Sequence, residues 1–206
     1  MMPPRGLFGD AMVRFAAFSD DPVTVARSLL GQRLVRVEGG RRLAGIIVEV
    51  EAYLGARDRA AHTYNGRRTP RNESMYLRGG HVYVYFTYGM HHCMNVVCGR
   101  CDEGTAVLLR AIEPTEGLDV MFDRRAAAKQ PRDLCSGPGK LTRAFGIDRA
   151  QDGLDLRESR ELFIERRGDR PAIICTPRIG VDYAGAWAKR RLRFLIGGNI
   201  HLSRRR

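Results

Sequence analysis

The stretch from Ile46 to Tyr53 constrains the fold most, because it has the alternation of a β-strand and carries two acids near its end. Successive side chains of a strand point to opposite faces of a sheet. The alternation gives an apolar face of Ile46, Val48, Val50 and Ala52 and a second face of Ile47, Glu49, Glu51 and Tyr53. One face is therefore expected to be dry and the other to present carboxylates.

An aromatic residue and a histidine follow the second acid of this stretch. Glu51 stands beside Tyr53 at the strand end, and His62 comes nine residues after Tyr53. This arrangement is typical of an acid–base site flanked by flat side chains that stack on a planar group. The alternative is a strand with one ordinary solvated face, and the residues alone leave both interpretations open.

The rest of the chain alternates strand-like runs with short helices. A helix is predicted between the cap signal at Asp21-Pro22 and the stop signal at Gly31. Two hairpins are predicted over 34–50 and 82–97, and the second strand of the first hairpin carries the start of the acid-bearing stretch. The remaining predicted elements are strands at 107–112, 162–165, 173–179 and 192–196 and helices at 116–128 and 136–146.

The length and the charge fit one domain with a basic surface. A chain of 206 residues with 44% hydrophobic content can bury one sizeable core. We therefore expect a single domain over 1–206, with a flexible leader at 1–18 and a flexible tail at 200–206. Lysine and arginine number 35 against 23 acids, which gives a net charge of +12. This charge predicts a polyanionic partner, with nucleic acid ahead of an anionic membrane.

Neither a membrane span nor a disulfide framework is predicted. No apolar run reaches the roughly 18 residues of a span, and no secretory pattern opens the chain, so a soluble, intracellular protein is expected. Five cysteines are an odd number, which favours free thiols. Cys98 and Cys101 have the spacing of half a zinc site, but no second pair follows. A metal site is kept only as an alternative.

The tip of the second hairpin carries Tyr88 and Met90. An aromatic at an exposed tip of a basic protein suggests a wedge between base pairs, although it can also fold back onto the sheet. With the acid and the aromatics Tyr53, His62 and Tyr85, the pattern suits an enzyme that flips a nucleotide into an aromatic pocket and hydrolyses its N-glycosidic bond. The His-x-Glu and Pro-Cys-x-x-Cys pattern of zinc deaminases is missing from the sequence, so deamination is not expected.

A series of spaced motifs runs from about Val23 to Phe194. The motifs are 26–31 (ARSLLG), 47–55 (IVEVEAYLG), 60–62 (AAH), 69–72 (TPRN), 82–85 (VYVY), 88–90 (YGM), 93–95 (CMN), 107–111 (VLLRA) and 134–138 (LCSGP). In this order they resemble the alkyladenine (3-methyladenine) DNA glycosylase family. The segment from Val97 to Glu103 is longer than the family pattern, so its role is not explained by the resemblance.

The resemblance implies both a fold and a reaction. The fold is α+β: a single compact domain with a curved antiparallel β-sheet flanked by helices and a protruding β-hairpin. The implied enzyme is a monofunctional DNA glycosylase of base excision repair. It flips alkylated or deaminated purines out of duplex DNA, hydrolyses the N-glycosidic bond with a Glu-activated water and leaves an abasic site. No metal and no cofactor are expected.

The resemblance also implies the catalytic group and the base pocket. Glu51 is similar to the general base, and Arg110 is similar to its partner in holding the water. Tyr53, His62 and Tyr85 are similar to the walls that stack on the flipped base. The backbone of His62 is also expected to read the edge of that base.

Three further roles follow from the same resemblance. Tyr88 is similar to the wedge that fills the vacated gap, and Met90 accompanies it as a DNA-intercalating residue. Asn95 is expected to disfavour guanine through a clash with its exocyclic amino group. Glu49 precedes Glu51 by one pleat, so it is expected to lie farther from the pocket and to matter less.

The expected partner is double-stranded DNA that contains damaged purines. The protein is expected to act as a monomer and to bind no membrane. In a bacterium the protein would be cytoplasmic and nucleoid-associated. The candidate bases are 3-methyladenine, 7-methylguanine, hypoxanthine and ethenoadenine. A non-catalytic RNA-binding module is the alternative from another class, because Arg78-Gly79 before 82–85 (VYVY) is similar to the basic-then-aromatic strand of an RNA-recognition sheet.

Overall fold

An antiparallel β-sheet organises the computed structural model, which describes residues 15–87, 89–168 and 171–203. Within these ranges the sheet has eight strands, and every pair is antiparallel. The strands are Arg33–Glu38 (β1), Arg41–Tyr53 (β2), Val82–Thr87 (β3), His91–Cys98 (β4), Thr105–Glu116 (β5), Leu162–Glu165 (β6), Ile173–Thr176 (β7) and Arg193–Ile196 (β8).

Strand β2 lies at the centre of this curved sheet. The order is β3-β4-β5-β2-β1-β6, and β8 joins β2 to β7. Along one edge β2 pairs with β5, and along the other it pairs first with β1 and then with β8 over Glu49–Glu51. The two acids of the sequence motif therefore lie where three strands meet. The predicted α+β class with a curved antiparallel sheet is confirmed.

Four short α-helices lie among the described residues, and none of the described helices is long and apolar enough to cross a membrane. The first begins as the sequence predicts, because the Asp21 side chain accepts hydrogen bonds from the N–H groups of Val23 and Thr24. The predicted helix at 116–128 is shorter than expected. The helices are Pro22–Leu29 (α1), Leu118–Arg124 (α2), Pro131–Leu134 (α3) and Pro138–Phe145 (α4).

Strand β2 departs from the simple alternation that its sequence suggests. Its register against β5 shifts between Ile47 and Glu49 and again between Glu49 and Val50. A bulge of this kind changes the face on which the preceding side chains lie. Ile47 therefore packs in the main core with Val50, whereas Ile46 and Val48 lie in a separate apolar cluster. The prediction that Ile46 and Val48 share a face with Val50 is wrong.

The described ends of the chain are packed. Phe15 and Phe18 are buried and meet edge to face with 5.0 Å between ring centroids. His201 is buried, and the N–H of Ser203 donates to Oε2 of Glu49 at 2.7 Å. The flexibility of the ends stays a prediction, although 15–18 and 201–203 supply core side chains and a hydrogen bond to the sheet.

The irregular segment between β2 and β3 packs against the sheet. It contains the short 3-10 helices Gly55–Arg57, Tyr64–Gly66 and Glu73–Tyr76. Met75 and Tyr76 from the last of these are buried. The segment therefore carries His62 to a fixed place beside the end of β2.

Candidate active site

A pocket of about 230 Å³ opens at the end of β2, between the β3–β4 hairpin and the loop that follows β7. The predicted residues that line it are Tyr53, His62, Tyr85, Asn95 and Arg110. Glu51 lies behind this lining and contacts two of its members, Tyr53 and Arg110. The structure thus brings together the predicted base, its arginine partner and the aromatic walls.

Two tyrosines and a histidine form one wall of the pocket. The rings of His62 and Tyr85 are 4.6 Å apart and nearly perpendicular, at 73°. Tyr83 stacks on Tyr85 at 5.4 Å, and its hydroxyl lies 2.8 Å from Nδ1 of His62. Tyr83 was not among the predicted site residues. Its position two residues before Tyr85 on one strand is the signal that places both on the same face.

The Glu51 carboxylate is fully buried and has three partners. Its Oε1 accepts the N–H of Ile179 at 2.8 Å, and its Oε2 accepts the hydroxyl of Tyr53 at 3.0 Å. Nη1 of Arg110 lies 3.3 Å from the same Oε2. Burial raises the pKa of Glu51 above its ordinary value, although Arg110 and the two hydrogen bonds oppose the shift. A carboxylate with a raised pKa is a better proton acceptor.

Tyr53 links the acid to the pocket wall. Burial, together with the neighbouring charge of Glu51, raises the pKa of Tyr53 well above its ordinary value. Its hydroxyl therefore remains protonated and acts as the donor to Glu51, while the ring lines the pocket. Positions 51 and 53 meet because residues two apart on a strand share a face.

Arg110 is shared between the two acids of β2. Its Nε donates to Oε1 of Glu49 at 2.9 Å, and its Nη1 faces Glu51. The Arg110 side chain is 8% exposed and lines the pocket. Burial works against the charge of Arg110, but the charges of Glu51 and Glu49 outweigh it and raise its pKa. The guanidinium of Arg110 is therefore a fixed positive charge between Glu51 and the pocket.

Glu49 does not lie on the ordinary solvated face that the residues alone leave open as an alternative. It is fully buried, and its Oε1 accepts from Arg110, from Nε of Arg193 at 2.7 Å and from the hydroxyl of Ser203 at 2.7 Å. Burial favours a higher pKa, but the hydrogen bonds from Arg193 and Ser203 and the charge of Arg110 lower it overall. The expectation that Glu49 matters less than Glu51 stays a prediction, but Glu49 contacts Arg110, which lines the pocket.

His62 is neutral in the site at physiological pH. Desolvation among the pocket atoms, with the positive charges of Arg71 and Arg67, lowers its pKa to about 4. The residue as a whole remains exposed to solvent. A neutral imidazole presents a flat, uncharged ring to whatever enters the pocket.

Asn95 is buried on β4 at the side of the pocket. Its Nδ2 donates to the backbone oxygen of Tyr83 at 3.1 Å, which fixes the plane of the amide. The partner carbonyl belongs to the strand opposite, since Tyr83 pairs with Asn95 in the register of the hairpin. A rigid amide at this point can accept or exclude a polar group on the edge of a planar ligand.

The tip of the β3–β4 hairpin is exposed where the structure describes it. Tyr88, the predicted wedge, lies outside the described residues. Gly89 adopts a left-handed backbone with φ of 68°, and Met90 is 71% exposed. Phe86, near the end of β3, is 45% exposed. The exposure of Met90 is compatible with contact to a partner.

The two cysteines that suggest half a zinc site have different surroundings. Cys98 is buried on β4, whereas Cys101 is exposed. Among the described residues no group of three or more histidine, cysteine or acidic side chains is placed to hold a metal ion.

Sequence reasoning missed a buried ion pair next to the pocket. Asp58 lies in the segment before His62, and Arg178 lies in the loop after β7. Their side chains face each other. The predicted strand at 173–179 ends at Thr176, and the following loop bends so that Ile179 reaches Glu51. The two partners are 120 positions apart, so no local pattern indicates that they meet.

Comparison with known proteins places this geometry in context. Residues 16–200 match the methylpurine-DNA glycosylase family profile. A human protein named DNA-3-methyladenine glycosylase is 44% identical over 199 residues, which cover 90% of this chain and 66% of the human one. A Clostridium botulinum relative, named as a candidate 3-methyladenine DNA glycosylase, is 43% identical over 91% of this chain and 96% of its own length. A similarly named Burkholderia lata protein is 48% identical over 88% of this chain and 89% of its own length.

Proposed function

The chain belongs to the methylpurine-DNA glycosylase family, and from this premise we propose that it removes alkylated purines from duplex DNA by hydrolysing their N-glycosidic bond. The predicted family is confirmed, and with it the class of DNA repair enzymes that act on N-glycosidic bonds. The residue roles and the steps below are our proposal.

The observation that carries the proposal is the environment of Glu51. A fully buried carboxylate with a raised pKa stands behind an aromatic pocket, beside the fixed positive charge of Arg110. A purely structural acid at this depth would be paired as tightly as Glu49 is. The contact of Glu51 with Arg110 is longer, at 3.3 Å, which suits a group that must still accept a proton.

The proposed reaction is a displacement at the sugar carbon. Glu51 accepts a proton from water while the water oxygen forms a bond to C1′, and the C1′–N bond breaks with its electron pair going to the base. 3-Methyladenine and 7-methylguanine are cationic in DNA, so they leave as neutral bases, whereas a neutral lesion must also take up a proton to leave. The negative charge of Glu51 also balances the positive charge that grows on the sugar. Arg110 orients the water, and the product is an abasic site.

The pocket walls are proposed to bind the flipped base. Tyr53 and Tyr85 with His62 offer flat rings for stacking, and the neutral imidazole avoids repulsion of a cationic base. The amide of Asn95 is held by Tyr83, so it is placed to exclude an exocyclic amino group and thereby to disfavour guanine.

The hairpin tip and the surface charge are proposed to hold the DNA. Tyr88 is proposed as the wedge in the vacated gap on the basis of its sequence position, and the exposed Met90 follows it two residues later in the chain. A net charge of +12 supplies attraction to phosphates. We also propose that the chain acts inside the cell as a single domain and as a monomer.

A non-catalytic RNA-binding module fits the same residues less well. The aromatic strand β3 suits base stacking in either case. A module that only binds has no use for a buried carboxylate with a raised pKa beside the stacking surface, because burial of such a group costs free energy. The glycosylase is therefore the preferred function.

Excision of bases from a panel of lesion-bearing duplexes tests the proposal. Duplexes with 3-methyladenine, 7-methylguanine, hypoxanthine or ethenoadenine are incubated with excess enzyme, and the release of free base is measured. Release of at least one alkylated purine with an intact abasic strand is expected. No lysine lies among the described residues that line the pocket, so borohydride should trap no protein–DNA adduct. Absence of release from every duplex would refute the function.

A further inference from the structure

We propose that the buried pair of Asp58 and Arg178 positions Glu51, because it fixes the loop whose Ile179 N–H donates to the Glu51 carboxylate. The inference rests on the proposed role of Glu51 as the proton acceptor. Neither member of the pair lines the pocket. Both therefore act through other residues.

The pair is a two-point contact without access to water. Nη1 of Arg178 lies 2.5 Å from Oδ2 of Asp58, and Nη2 lies 2.8 Å from Oδ1. Both side chains are 0% exposed. Hydrogen bonds from Arg178 lower the pKa of Asp58 in spite of burial, which by itself raises it. The two segments are thus locked in one relative orientation.

Each partner is tied to a segment that builds the site. Asp58 accepts the N–H of Leu54 at 3.1 Å and that of Ala60 at 3.0 Å, which shapes the loop between β2 and His62. Nη1 of Arg178 also donates to the backbone oxygen of Ala52 at 2.9 Å. The pair therefore joins the end of β2 to the loop after β7.

The connection to Glu51 has two branches. Ile179 follows Arg178 in the chain, and its N–H donates to Oε1 of Glu51 at 2.8 Å. The guanidinium carbon of Arg178 lies 4.7 Å from the centre of the Tyr53 ring, whose hydroxyl donates to Oε2 of Glu51. Both hydrogen bonds to the Glu51 carboxylate thus depend on the position of Arg178.

Stability alone does not explain the pair. A buried ion pair commonly contributes little net stability, because the loss of hydration offsets the attraction. Nε of Arg178 is buried without a hydrogen-bond partner among the described residues, which adds a further cost. A costly arrangement beside the proposed base is better explained by the precision it gives to the site.

Loss of the pair should change the titration of Glu51. The hydrogen bond from Ile179 stabilises the charged form, so its loss raises the pKa of Glu51 and moves the rising limb of the pH–rate profile to higher pH. Loss of Arg178 also removes a positive charge that acts on Glu51 and the contact that holds the Tyr53 ring, and both changes shift the pKa of Glu51 in the same direction. The other titratable or charged groups that face Glu51 are Glu49, Tyr85, Cys93 and Arg110.

Single-turnover excision from an ethenoadenine or methylated duplex between pH 5 and 9 tests the inference. Asp58→Asn keeps size and one acceptor, Arg178→Lys keeps charge, and Arg178→Met keeps neither charge nor fork. We expect the rate at pH 7 to fall on the order of 10–100-fold in Arg178→Met, with a partial recovery in Arg178→Lys. The rising limb should move up by about one pH unit, while duplex affinity stays within about threefold.

Arg42→Lys is the matched control. Arg42 pairs with Glu165 at 2.6 Å at the other end of β2, so its loss weakens an ion pair without touching Glu51. It should lower stability without moving the pH profile. If the Arg178 variants do not fold, the pH–rate profile of Asp58→Asn tests the inference. A wild-type profile in the folded variants, or an equal shift in Arg42→Lys, overturns the inference, whereas an inactive wild type refutes the proposed function itself.

Discussion

Replacement of Glu49 by glutamine is the perturbation that separates this structure from the alternative of a strand with one ordinary solvated face. Glu49 accepts four hydrogen bonds, two from buried arginines and two from Ser203. A glutamine side chain has the same shape but no charge and only one acceptor oxygen. In either orientation of the amide, its NH₂ group faces donors, since Oε1 and Oε2 of Glu49 both only accept here.

The expected loss of stability follows from the two arginine charges that lose their partner. Arg110 and Arg193 have side chains that are 8% and 6% exposed, so neither charge can recover full hydration. Removal of one partner of a buried ion pair costs about 3–5 kcal/mol. In a domain of this size that corresponds to a fall in Tm of roughly 6–20 °C. Excision should fall as well, because Arg110 loses the partner that orients it toward the pocket.

The assay is chemical denaturation of wild type and variant, followed by single-turnover excision on the folded fraction. Glu161→Gln is the matched control. Glu161 pairs with Arg36 at 3.2 Å but is 47% exposed, so its loss should cost about 0–1 kcal/mol. If Glu49→Gln lowers the free energy of unfolding no more than Glu161→Gln does, the buried network is refuted.

The pH dependence of this cost has a definite sign. The folded pKa of Glu49 is lowered, so its contribution to stability is present above the unfolded value near 4.5 and is lost as the pH falls through the folded value. The difference in stability between wild type and Glu49→Gln should therefore narrow on acidification below about 4.5. A gap that widens in acid would contradict the assigned charge state.

Three other predictions concern the site and the DNA. Binding to undamaged duplex should weaken with salt with a log–log slope of about −4 or steeper, and a flat response would remove the electrostatic contribution. Tyr53→Phe keeps the stacking ring but removes the donor to Glu51, so the rising limb of the pH–rate profile should move to higher pH by about one unit; an unchanged limb would show that the hydroxyl does not act on the base. The imidazole of His62, followed by NMR, should titrate near pH 4 and stay neutral above about pH 5, whereas a midpoint near 6.5 would contradict its desolvation.

Local patterns in the sequence predict much of the sheet. Both hairpins and the helix α1 follow from turn signals, a capping aspartate and apolar periodicity, all of which act over a few residues. The pocket residues on β2, β3, β4 and β5 come from the resemblance to a known family. Their convergence is explained by the strand order, which sets β5 between β4 and β2.

Long-range features were beyond the sequence pattern. The bulge near Glu49 arises from pairing with β5, so alternation within β2 cannot indicate it. Glu49 is buried because β8 and Ser203 arrive from more than a hundred residues away. The contact of Asp58 with Arg178 has the same origin. Tertiary packing decides these positions, and no propensity of the individual residues encodes them.

Glu51→Gln tests the central claim most directly. The amide keeps the size of the side chain but accepts no proton, so single-turnover excision should fall at least about 10²–10⁴-fold. Affinity for the damaged duplex, measured in parallel by gel shift, should survive, because stacking and phosphate contacts do not need that charge. Excision by Glu51→Gln at near the wild-type rate, with the variant folded and bound, would contradict the assignment of Glu51 as the group that activates water.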